Sequence, residues 1–91
     1  MKDIIKKGDQ FIAKEEGELI AEISVVPAGS DQLIVDHTFV SEERRGEGIG
    51  EKLIKEVVQF ARNEGKTIIP LCSFTKSVID RNENHQDVLA K

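Results

Sequence analysis

The chain has 91 residues, a formal net charge of -4, 4% aromatic residues and a single cysteine. So short a chain supports one domain, residues 1–91, with one modest core, burying roughly 60–65% of the surface it exposes when unfolded. The acidic balance and scarce aromatics leave no electrostatic footprint or stacking platform for nucleic acid, and the lone Cys72 excludes an internal disulfide and fits a reducing compartment. The opening "MKDIIKKGDQ" has no apolar block long enough for a signal peptide, and no segment approaches membrane-spanning length. A cytoplasmic protein with no membrane partner is therefore expected.

In chain order, "QFIAKEE" and "GELIAEISVVPAGSDQLIVDHTFV" predict three strands of an antiparallel meander, with turns at Glu15 to Gly17 and Pro27 to Asp31. Strict alternation puts Leu19, Ala21, Ile23 and Val25 on one face of the second strand, and Ile20, Glu22, Ser24 and Val26 on the other. In the third strand it groups His37 with Leu33, Val35 and Phe39, and Asp36 with Ile34 and Thr38. From Gly48 to about Glu64 the period changes. Ile49, Leu53, Ile54, Val57, Val58 and Ala61 form the apolar stripe of an amphipathic helix that Gly65 stops. "KTIIPLC" then predicts a strand, and strand, helix and strand in succession predict a crossover with the two strands parallel. Thr75 is expected to cap a short helix running through Arg81, and Val88 and Leu89 to anchor the polar tail. The fold class is thus α/β: a mixed sheet built from an antiparallel meander plus a parallel strand after the main helix, with a short C-terminal helix.

The stretch "RRGEGIG" spaces Gly46, Gly48 and Gly50 two apart at the start of the main helix. Glycine is costly there, so it needs a reason. One reading is a tight turn with close helix packing; the other is a backbone cradle whose first-turn amides face a phosphate. The spacing is neither the G-x-G-x-x-G of dinucleotide folds nor a P-loop. It does fit R-x-x-G-x-G, and the run "VSEERRGEGIGEKLIKEVVQFARNEG" resembles the strand, acyl-CoA loop and helix of the GNAT superfamily of N-acetyltransferases. "HTFV" before the loop, "PLCSF" after the helix and "HQDVL" near the end make the chain similar to the minimal, single-domain branch of that family.

The resemblance implies that the backbone of Arg45, Gly46, Glu47, Gly48, Ile49 and Gly50 binds the pyrophosphate of acetyl-CoA, the acetyl-donor cosubstrate. It implies that Thr38, Phe39 and Val40 hold the pantetheine arm or thioester carbonyl where two strands splay apart, with Pro70 marking either that gap or an ordinary strand end. Ser73 and Lys76 are further cofactor-binding candidates, and Lys66 could also reach a phosphate. His85 stands where the family places an aromatic residue, usually tyrosine.

Acetyl transfer to an amine needs a neutral amine, a stabilised oxyanion and an exit for the thiolate. The chain has no tyrosine to protonate that thiolate. Cys72 is the catalytic candidate, as thiolate acid or transient acyl carrier; its other reading is a small buried hydrophobe. His37, of a residue type that exchanges a proton near neutral pH, is either the base or a core histidine bonded to a neighbour. The two histidines and one cysteine lack metal-ligand spacing, so no metal is expected. The expected function is acetyl-CoA-dependent N-acetyl transfer to a primary amine of unknown identity, by a monomer or homodimer. The alternatives are a non-catalytic acyl-CoA-binding module and a protein-interaction domain.

Overall fold

Gly8, at φ 59°, begins a two-residue turn with Asp9 that folds β1 (Lys2–Lys7) antiparallel onto β2 (Gln10–Glu15). A glycine at the first central position suits the tight hairpin turns whose twist matches the strands. The computed structural model describes residues 2–90. β1 corrects the expected count of three meander strands to four. The paired Ile4-Ile5 and Lys6-Lys7 break the period-2 alternation by which a strand is recognised. β3 (Glu18–Ala28) and β4 (Gln32–Val40) complete the meander, α1 (Ile49–Asn63) crosses over, and β5 (Thr67–Pro70) pairs parallel with β4. The sheet order is β1-β2-β3-β4-β5, the mixed α/β architecture expected.

Two bulges move side chains between faces. Ala13 pairs with Ala21 but Lys14 with Leu19, so Ile20 is an extra residue in β3. An extra residue interrupts the alternation. Ile20 is therefore buried with Ala21, Ile23 and Val25, while Leu19 is 39% exposed, which reverses the faces expected for those two. In β4 the pairs Ser24 with His37 and Val25 with Val35 leave Asp36 as the extra residue. Leu33 and Val35 lie in the core, but His37 and Phe39 are exposed. The expected grouping of His37 and Phe39 with Leu33 and Val35 fails for that reason.

α1 meets the sheet as its stripe dictates: Ile49, Leu53, Ile54, Val57, Val58 and Ala61 are all at most 2% exposed. They pack on Phe11, Ala13, Ile23, Val25, Leu33, Val35 and Ile68. Glu64 caps the helix and Gly65, at φ 68°, ends it as expected. α2 (Ser73–Arg81) adds Val78 and Ile79 to the same core. Its N-cap is Cys72, not Thr75, which lies within the helix at 1% exposure. A 3₁₀ segment, Glu83–Val88, closes the fold by burying Val88, with Leu89 packed against the core. Among the described residues no helix is long and apolar enough to cross a membrane.

Arg62 fastens that segment to α1, donating from Nε to Asp87 Oδ2 at 2.8 Å and from Nη2 to Asp87 Oδ1 at 2.7 Å. The hydrogen bonds from Arg62 lower the Asp87 pKa below its ordinary 3.8. A depressed carboxyl stabilises the folded chain above its unfolded value, and the contribution fades as pH falls through the folded one. Asp87→Asn is thus expected to lower the melting temperature slightly at pH 7, a difference that shrinks on acidification below 3.8 in thermal scans.

Candidate functional site

β5 pairs with β4 only from Gln32 to Val35. Pro70, opposite Val35, is the last residue of that ladder, and the amides of Leu71 and Cys72 both turn back to the Val35 carbonyl, at 2.9 and 3.3 Å. A proline has no N–H to continue the ladder, so the strand stops here. β5 ends there, and among the described residues the edge of β4 from Asp36 to Val40 faces no strand on the β5 side. Its unpaired backbone groups are available to a ligand.

The glycine loop closes the same end of the sheet. Ser41 donates to the Ile20 carbonyl at 2.8 Å, a 3₁₀ turn follows at Glu42–Arg44, and α1 starts at Ile49. Gly46 and Gly48 sit at φ of 90° and 76°, where a β-carbon would meet no atom within 4 Å. Their role is conformational: a left-handed backbone that other residues adopt only at a cost of about 1–3 kcal/mol. Gly50 is different. A β-carbon there would stand 2.8 Å from Phe74 Cε2 and 3.4 Å from Val40 Cγ2, so its role is to leave space. Gly48 is the N-cap of α1 and supplies no side-chain cap, which leaves the first-turn amides to an external acceptor.

A cavity of about 320 Å³ lies where loop, helix and the open edge of β4 meet. Thr38 and Val40 of β4 form one wall; Arg45, Gly46, Ile49 and Gly50 form another. These six are among the residues predicted for the cofactor. Arg44, Glu51 and Phe74 also line it. Arg44 and Glu51 were not singled out from the sequence, since their charges are indistinguishable there from others on a solvated face. Phe39 is 42% exposed and is not among the lining side chains, because the β4 bulge places Thr38 and Val40 on the cavity side. Ser73 and Lys76 do not line it either. The Lys76 ammonium pairs with Asp80 at 2.8 Å, one turn along α2. Glu47 stands 3.6 Å from Arg44.

Cys72, half-buried, follows the ladder's end and caps α2. Burial alone would push its thiol up. The amides of Thr75 and Phe74 and the hydroxyls of Thr38 and Thr75 lie toward the sulfur without closing a regular cap hydrogen bond, and together they outweigh burial. The net displacement is below the ordinary 9.0, so the thiolate is favoured. Thr38 and Thr75 approach each other at 3.4 Å beside it. Thr38 and Phe74 are shared between the sulfur's surroundings and the cavity wall.

His37 is not a core histidine. Its side chain is 57% exposed, and Nε2 stands 3.7 Å from Glu22 Oε1. His85 is 7% exposed, with Nδ1 buried and unpartnered among the described residues, and it is not part of the cavity wall.

A model of the GCN5-related N-acetyl-transferase family, the GNAT family of the sequence resemblance, matches residues 10–88. N-acetyltransferase 8B of Rattus norvegicus is 34% identical over 89 residues, which cover 86% of this chain and 40% of that protein. The chain thus spans well under half the length of this curated relative. A GCN5-like protein from Staphylococcus aureus solved by NMR superposes with a TM-score of 0.81 at 35% identity, covering 97% of this chain and 87% of that one. A GNAT family acetyltransferase from Elizabethkingia anophelis, crystallised with acetyl-CoA, shares the fold with a TM-score of 0.65 at 21% identity over 79% of this chain and 50% of that one.

Proposed function

The chain belongs to the GCN5-related N-acetyltransferase family, and from that premise we propose that it transfers an acetyl group from acetyl-CoA to a primary amine. The observation that carries this reading is the junction of three features in one cavity: uncapped amides at the start of α1, the left-handed Gly46 of the glycine loop, and an unpaired β4 edge. The diphosphate lies against the amides of residues 46–50, with Arg45 beside it. The pantetheine arm follows the edge of Thr38 to Val40 and brings the thioester to Cys72.

Cys72 acts on the thioester. Donors that favour its thiolate favour the carrier role: the sulfur attacks the acetyl carbon, the bond to the coenzyme A sulfur breaks, and the departing thiolate takes up a proton from solvent. The acetyl group then passes to a neutral amine, whose attack breaks the Cys72 thioester. His37, exposed on β4 with Glu22 beside it, accepts the proton that the amine must shed. A reducing compartment such as the cytoplasm keeps Cys72 in its working thiol form.

Thermal denaturation tests the binding step. At 100 times its dissociation constant, acetyl-CoA should stabilise the fold by about 2.7 kcal/mol, a rise of roughly 10–20 °C for a domain of this size. Protection without release of free coenzyme A in the presence of amines would mark a binding module. No protection would leave the glycines a role in the turn and in helix packing only.

A further inference from the structure

The glycine loop rests on the β2–β3 hairpin, and the contact is a guanidinium between carboxylates. Glu15 ends β2; Glu16 and Gly17, at φ 52° and 81°, form the two-residue turn, and Glu18 pairs with Glu15 across it. Positive φ at both central residues belongs to the tight hairpin turn that fixes strand register, so Glu15 is held on a stiff platform. Its carboxylate Oε1 accepts a hydrogen bond from Arg44 Nη2, and both side chains are partly shielded, at 21% and 30% exposure. Arg44 Nη1 reaches Glu47 on the other side at 3.6 Å. The guanidinium thus ties residues 44 and 47 of the loop to the end of β2. Arg45 makes no ion pair among the described residues.

We infer that Glu15 is the positioning residue of the diphosphate loop: by holding Arg44 it sets the loop in the conformation that converges the amides of residues 46–50, and it leaves Arg45 as the cation that meets the ligand. The inference rests on the function proposed above. It assigns separate tasks to two adjacent arginines that line the same cavity. Arg44 has its charge taken up within the protein, and it reaches the ligand only through the shape of the loop.

Isothermal titration of coenzyme A into the whole chain, with acetyl-transfer kinetics on the same samples, tests it. Glu15→Gln is expected to weaken coenzyme A by about fivefold and raise KM for acetyl-CoA by a similar factor, the upper end of what a partly exposed ion pair carries. kcat at saturating acetyl-CoA should not change, and the ligand-free melting temperature should stay within a few degrees of wild type. In an Arg44→Gln background the same substitution should cost nothing more, because its effect runs through Arg44. Arg44→Lys, which keeps the charge but not the fork, reports the contact from the other side should Glu15→Gln fold poorly; it too should weaken binding. Wild-type affinity in Glu15→Gln, or a loss that persists undiminished in the Arg44→Gln background, overturns the assignment and leaves the proposed function standing. Failure of the wild type itself to bind coenzyme A overturns both.

Discussion

A Gly50→Ala variant is expected to bind acetyl-CoA at least about tenfold more weakly than the wild type without losing thermal stability. The two halves of that expectation have different origins. Alanine is a better helix former than glycine by about 0.8–1 kcal/mol, and Gly50 is the second residue of α1 with ordinary helical backbone, so the helix itself gains. The added carbon, however, would stand 2.8 and 2.9 Å from the edge of the Phe74 ring, closer than two carbons approach. The ring is 37% exposed and turns away cheaply, but it forms a wall of the cavity. The substitution therefore displaces that wall and sets a methyl group beside the amides that take the diphosphate. Calorimetric titration and a thermal scan of the same preparation separate the effects. Adding Phe74→Ala to Gly50→Ala should restore part of the affinity, since the clash then has no partner. Equal affinity of Gly50→Ala and wild type would show that nothing binds against this turn of the helix.

The same residue shows where sequence reading stops. R-x-x-G-x-G locates the loop, and the apolar stripe from Ile49 to Ala61 locates the helix behind it, because both are local patterns whose spacing survives folding. Nothing local tells that Gly46 and Gly48 serve conformation while Gly50 serves space. That difference depends on Phe74, which arrives from α2. The bulges were illegible for a related reason. An inserted residue leaves no mark in the alternation of β4 itself; only the register with β3 reveals Asp36 as unpaired. It is this one residue that turns Thr38 and Val40 toward the cavity and His37 and Phe39 away from the Leu33 and Val35 face, so the roles of four predicted residues hinged on a long-range pairing. β1 was missed because its two isoleucines are adjacent, although its Gly8-Asp9 turn carried the signal.

Replacing Cys72 by serine is expected to lower kcat by about 10²-fold or more while leaving acetyl-CoA affinity near wild type, as removal of a nucleophile does. A serine keeps the size and donor capacity of the half-buried side chain, so packing around Thr38 and Thr75 should persist. What it cannot supply is an anion at neutral pH. For the cysteine, the surrounding amides and hydroxyls outweigh burial and set its pKa below 9.0, so the thiolate grows in as pH rises toward that value. A carrier acting as thiolate therefore gives a kcat that climbs with pH through a midpoint below 9.0. A thiol acting as proton donor gives the opposite limb, falling as the same group ionises. The two roles thus predict rate profiles of opposite slope from one titration. Rapid-quench intact mass after mixing with acetyl-CoA, without amine, adds a second reading: the carrier gains one acetyl group and Cys72→Ser gains none. A rising limb with no mass gain would mean that the thiolate assists without bonding to the acetyl carbon. A falling limb would assign the proton to Cys72, and an unchanged kcat in the serine variant would reduce the cysteine to the N-cap of α2.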